Sequence, residues 1–139
     1  MAKSLLYRLF GVGKIPDSLM PQLKNEGVIL LDEGVKGSVT YRNFRAPGKR
    51  FNWRRQAFTA SIALTKARLL GLMHSDTIIN VPLADERIRA MQYTVENNAA
   101  LCVAFDASLF HADWSGTIEY RFGTPQAQEL LEQMQSRMG

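Results

Sequence analysis

Residues 58–73, FTASIALTKARLLGLM, put Phe58, Ala60, Ile62 and Leu64 on one side of an extended chain and Thr59, Ser61 and Ala63 on the other. Successive side chains of extended backbone point to opposite faces, so this period of two predicts a strand with one apolar face. ARLLGLM (67–73) predicts the strand that follows. Extended backwards, the first of these strands starts at about Phe51. Its aromatic beginning, Phe51 and Trp53, has the opposite parity to the Phe58–Leu64 set, so a bulge within 54–57 is expected to reconcile the two halves.

Upstream, GVILLDEGVKGSVTYRNF (27–44) is rich in β-branched and aromatic residues and reads as a long strand, with Gly34 and Gly37 marking a bulge or bend. APG at 46–48 is a turn signal, so the two long strands form a hairpin. Residues 1–27 read as helical. A short helix is expected over 3–10, and a second is capped by Asp17 or Ser18, has Leu19, Met20 and Leu23 on its apolar side, and is closed by Gly27. Pro21 must lie in the first turn of that helix, because deeper inside it would cost about 3 kcal/mol.

Downstream, strands are predicted at TIINVPL (77–83), RAMQYTV (89–95), ALCVAF (100–105) and GTIEYRF (116–122). The inward sets of the last three are Met91, Tyr93 and Val95; Leu101, Val103 and Phe105; and Ile118, Tyr120 and Phe122. HSD, NN and DWSG are the turns between them. A closing helix follows, with Thr124 as N-cap, Pro125 at the first position, and Ala127, Leu130, Leu131, Met134 and Met138 as an apolar stripe. Leu130, Leu131 and Met134 are expected among the most buried residues. About seven antiparallel strands and one amphipathic helix make a mainly β (α+β) fold in which the helix plugs an open end of a rolled-up sheet.

At 139 residues the chain suits a single domain, with 46% apolar and 22% charged residues excluding disorder. Cys102 lies in the apolar ALCVAF, has no disulfide partner, and reads as a small buried hydrophobe in a cytoplasmic protein. The opening MAKSLLYRLFGVGK has an apolar core broken by Arg8, too short for a spanning helix and unlike a signal peptide. Secretion and membrane spanning are not expected, and peripheral membrane contact is left open. The net charge is +4, but six of the seventeen cations lie in residues 42–55, leaving eleven against thirteen acids elsewhere. The positive charge is a local patch.

The order of elements, together with TASIALTKARLLGL (59–72), resembles the pleckstrin-homology superfold, and within it the GRAM-like and bacterial pleckstrin-homology-like domains. In those families a strand ends in threonine, a tight turn follows and the next strand opens with arginine and leucine, as in Leu64-Thr65-Lys66-Ala67-Arg68-Leu69. INVPL, LCVAF, GTIEYRF and the helix from Thr124 are similar to later elements of the family. The resemblance implies a barrel closed by the C-terminal helix over residues 28–139, with 1–27 as a helical extension, and binding of some kind. The closing helix carries no tryptophan, both Trp53 and Trp114 lying elsewhere, as in the GRAM-like and bacterial versions. Lys36 could stand for the family's first-strand lysine, but the second strand offers Arg54-Arg55-Gln56 where phosphoinositide binders have a basic-x-Arg pair.

The candidate site is RNFRAPGKRFNWRR (42–55): Arg42, Arg45, Lys49, Arg50, Arg54 and Arg55, no acid, and Phe44, Phe51 and Trp53 between them. One reading is solubility and protection of a sheet edge. The other is an anion-binding surface, since arginine forks suit phosphate and carboxylate and interleaved aromatics stack on bases or enter a lipid interface. Phe51 and Trp53 could equally pack into the barrel mouth. The leading expectation is a non-catalytic binding or scaffold module whose hairpin contacts an anionic membrane or an acidic protein. Nucleic-acid binding, and a small-ligand or enzymatic site in the barrel mouth, are the alternatives. No metal, cofactor or catalytic residue is expected: His74 and His111 read as polar loop residues, GVGK (11–14) lacks the spacing of a phosphate loop, and DASLF and DWSG contain no nucleophile elbow. The adjacent acids Asp32 and Glu33, and Asp85 and Glu86, read as solvated. The oligomeric state is left open.

Overall fold

The computed structural model describes residues 15–138, so the helix expected over 3–10 lies outside the described residues. The elements run α1 (Met20–Glu26), β1 (Val28–Ala46), β2 (Lys49–Thr65), β3 (Arg68–Met73), β4 (Asp76–Pro82), α2 (Arg87–Ala90), β5 (Gln92–Glu96), β6 (Ala100–Asp106), a 3₁₀ turn (Ala107–Leu109), β7 (Ser115–Gly123) and α3 (Ala127–Met138). The strands form one antiparallel sheet in the order β4-β3-β2-β1-β7-β6-β5. Its edges, β4 and β5, are not hydrogen-bonded to each other, so the sheet is not a closed barrel. The inward side chains of all seven strands nevertheless share one core, from Val35 and Val39 through Ile62, Leu64 and Leu69 to Leu101, Val103 and Phe122.

α3 packs on β5 and β6 and buries Ala127, Leu130 and Met134 in that core. Leu131 is only partly buried, a correction to the expected trio: at 100° per residue it sits at the flank of a stripe centred on Leu130 and Met134. Thr124 caps the helix, accepting from the Gln126 N–H at 3.2 Å and donating to Asp32 at 2.7 Å. Asp32 is therefore buried structure and not a solvated acid. Glu33 likewise accepts from the Ile15 N–H at 2.7 Å, and Asp85 clasps the side chain and amide of Arg87.

The expected strand over 89–95 begins only at Gln92. Ile88 and Met91 are both buried and stand three apart, a helical spacing, and Asp85 holds the turn that starts α2. At the other end, α1 has Pro21 in its first turn and closes at Gly27, whose φ is 86°. Neither Asp17 nor Ser18 caps it. The Leu19 N–H bonds the Pro16 carbonyl at 2.9 Å, which puts both residues inside a preceding turn, and Leu19 occupies the cap without a side-chain bond.

α1 covers the sheet's other face. Ile15 and Leu23, with Leu19 and Met20 beside them, pack on Ala63, Leu70 and Leu72, so β2 and β3 are buried on both sides there. Thr65 closes the β2–β3 turn by accepting from the Ala67 and Arg68 amides at 3.1 and 3.0 Å. Glu26 then bridges helix to turn, bonded by the Thr65 hydroxyl at 3.0 Å and by Arg68 at 2.8 Å. Burial works to raise the Glu26 carboxyl, but the bonds from Arg68, Thr65 and Gln22 outweigh it and hold the group below its ordinary value.

Candidate functional site

The basic stretch is the distal half of the β1–β2 hairpin, closed by Pro47-Gly48 with Gly48 at φ 77°. Register is continuous from Ala46↔Lys49 to Val35↔Ala60, so the bulge expected within 54–57 is absent. The irregularities lie in β1. One is between Asp32 and Val35, where Gly34 has φ 67°. Gly37 is regular strand, and a Cβ there would come within 2.8 Å of Ala60 and Phe58, so it serves close packing. Another lies between Val28 and Leu30, and a third faces β7 between Arg42 and Arg45, where Asn43 has φ 50°. Asparagine tolerates that left-handed conformation, and 54–57 contains no asparagine or glycine. Gly116 fits against the kink, since a Cβ on it would lie 2.4 Å from the Asn43 carbonyl oxygen.

Below the tip, Tyr41, Phe44, Phe51 and Trp114 form a ring cluster with centroids 4.9–5.9 Å apart, and Phe44 is buried in the main core. Phe51 thus packs inward. Trp53 does not: it is 63% exposed. His111 stacks on Trp114 at 3.7 Å, and His74 sits exposed in the β3–β4 turn.

The six cations fall into four settings. Arg45 and Arg50 are directly opposite across the ladder, with Lys49 beside them at the tip, and among the described residues none of the three has a carboxylate in ion-pair reach. Arg42, opposite Trp53, is tied to Glu119 of β7 at 3.2 Å. Arg54 lies 4.9 Å from the Phe51 ring centre, while Arg55, its neighbour, points to the opposite face. There it meets two cations that the basic stretch does not contain, Lys36 of β1 and Arg121 of β7, around a cavity of about 460 Å³ floored by Gly37, Ala57 and Ala100. The period of two places Lys36, Ser38, Thr40 and Arg42 on one face of β1. What the sequence does not reveal is that β7 pairs beside them and contributes Arg121. Arg121 also reaches Glu96 at 3.2 Å, in a smaller hollow that holds Cys102. Burial pushes the Cys102 thiol up, and the charges of Glu96 and Glu119 add to the effect, which leaves little nucleophilic thiolate.

β2 has two neighbours over only part of its length. β3 pairs with it from Ala60 to Leu64, so residues 49–58 are bordered by β1 alone. Residues 52–57 are exposed without exception, on both faces of the strand. Among the described residues no three His, Cys, Asp or Glu side chains converge on a point where a metal would sit, and no helix is long and apolar enough to cross a membrane.

Comparison of the chain with protein-family models finds no match, and comparison with curated proteins finds none that is significantly similar.

Proposed function

We propose that the chain is a non-catalytic binding or scaffold module of pleckstrin-homology-like type, GRAM-like or bacterial, whose basic hairpin contacts an anionic partner surface, either a membrane or an acidic protein face. The fold assignment draws support from a seven-strand antiparallel sheet in which the meanders β1–β4 and β5–β7 join through β1 and β7, from the Thr65-to-Arg68 turn, and from the helix after β7. The observation that carries the functional reading is Arg45 opposite Arg50 at the exposed tip. Like charges directly opposite each other destabilise a ladder, and here no carboxylate offsets them. An arrangement that costs stability when empty is relieved when an anion binds between the two guanidinium groups. Edge protection needs cations, but not a facing pair.

The test is a titration of the chain against anionic vesicles, neutral vesicles, single- and double-stranded DNA and RNA, and an acidic polypeptide, at low and physiological salt. Binding is expected to at least one anionic probe and to weaken steeply with salt, as the Debye length shrinks to about 8 Å at 0.15 M. Replacing Arg45, Lys49, Arg50 and Arg54 by Gln is expected to abolish it while the fold melts no lower than before. If the parent binds no polyanion at low salt, the reading falls and the cations are edge protection. Comparable binding to every nucleic acid would favour the nucleic-acid alternative.

A second reading rests on the cavity ringed by Lys36, Arg55 and Arg121. Its size suits a small ligand, and its small apolar floor beneath three cations suits a compact organic anion. Thermal-shift screening of aromatic and aliphatic carboxylates against the parent and Arg121→Gln tests it.

A further inference from the structure

The open edge of β2 has a direction. The Thr59 carbonyl accepts from the His74 N–H at 2.8 Å on the β3 side. In an antiparallel strand the N–H and C=O of alternate residues point to the same side, so those of Ala57, Arg55, Trp53 and Phe51 face that side too. β3 does not reach them. Among the described residues no backbone or side-chain group bonds to this edge between 49 and 58.

Such an edge is a template for one more strand. Its occupant is selected by charge. Two copies of the edge would bring Arg50, Arg54 and Arg55 against themselves, so self-pairing is disfavoured. A membrane surface or a folded acidic face satisfies cations but cannot supply a ladder of backbone bonds. An extended chain with carboxylates at alternate positions supplies both: its acids share one face, beside Arg50 and Arg54, and its intervening side chains take the other, beside Trp53 and Arg55. We infer that the free edge of β2, from Phe51 to Ala57, binds an extended acidic segment of a partner protein by strand addition. This rests on the anionic-partner reading above and narrows it to one class of partner. Trp53, exposed beside the edge, supplies apolar area for the partner's intervening side chains.

The test uses the full chain and a capped ten-residue peptide alternating Glu with Val and Thr. Two further versions are N-methylated at every second residue, one on the odd positions and one on the even. An added strand bonds through one edge only, so one pattern is expected to weaken binding by about tenfold or more and the other by about twofold or less. Ala57→Pro removes an N–H facing the open edge while keeping every cation, and is expected to weaken the unmodified peptide by about tenfold. Should that variant misfold, the methylation pair decides alone on the parent chain. In the parent complex the Trp53 and Arg55 amides are expected to exchange more slowly with solvent. Equal affinity for the two methylated peptides would overturn strand addition and leave the anionic reading standing. Binding of anionic vesicles without binding of the peptide at low salt would overturn it in favour of a membrane. Failure of every polyanion would remove the anionic reading itself.

Discussion

The two halves of β2 share one strand and one continuous partner, yet residues 58–65 are buried throughout and 49–57 are exposed apart from Phe51. The inner half lies between β1 and β3, with the core on one face and α1 on the other. The outer half has one neighbour and neither cover. Alternation is blurred in both, for opposite reasons: in the inner half even the outward Thr59, Ser61 and Ala63 are covered, and in the outer half even the inward Gln56 is bare. A strand's burial is thus set by its neighbours on both edges and both faces. The hairpin's stability comes from one half, which frees the other to carry charge that a packed strand would not tolerate.

The sharpest test of that contrast is a pair of truncations. Ile62 is 1% exposed and lies in the main core, so Ile62→Ala leaves a cavity and should cost about 2–5 kcal/mol in a denaturant melt. Trp53→Ala removes a larger side chain from the outer half and should cost less than about 0.5 kcal/mol. Equal losses would mean that the outer half is as structurally engaged as the inner, and the division of labour fails.

Much of this was legible beforehand because some signals are local. Phe58–Leu64 alternates, Pro47-Gly48 demands a turn, and Thr124-Pro125 followed by a stripe demands a helix. The parity reversal between Phe51 and Phe58 was legible as well, but the irregularity near it is not in β2: β1 breaks register with β7 at Asn43, a residue able to hold a left-handed φ opposite Gly116. Met91 reads as the first inward residue of a strand over 89–95 because nothing local shows its helical spacing to Ile88 until Asp85 is seen clasping Arg87. The grouping of Arg55 with Lys36 and Arg121 was invisible, as it depends on β7 pairing with β1. So was the open edge, which exists because β3 stops at Met73.

A smaller effect tests the cover on the inner half. Glu26 holds α1 to the end of β2 through Thr65 and Arg68, and its carboxyl is held below the ordinary 4.5. A depressed carboxylate contributes stability that is present above its unfolded value and lost as pH falls through its folded one. The parent should therefore melt above Glu26→Gln at pH 7, and the gap should close progressively as the pH is taken below about 4.5. Melting of α1 would be seen first in the amides of Leu70 and Leu72, while those of Trp53 and Arg55 stay unaffected. A gap that stays constant to pH 3 would show that charge on Glu26 is not what secures the helix.

The smallest effect belongs to the outer half and has the opposite sign. Arg45 and Arg50 face each other with no acid near, so Arg50→Gln removes a repulsion without opening a cavity. Cross-strand pairs are worth about 0.2–1 kcal/mol, and exposure to water and salt puts this one at the low end. Arg50→Gln should therefore stabilise the chain by a few tenths of a kcal/mol, about a degree or two in melting temperature. The gain should be largest at low ionic strength and vanish near 1 M salt, where the Debye length is about 3 Å. Anion binding would fall in the same variant. A residue whose loss improves the fold and impairs binding is held in place by the ligand's requirements and not by the sheet's. If Arg50→Gln is less stable than the parent at low salt, the tip cations support the hairpin, and the contrast between the two halves is one of degree.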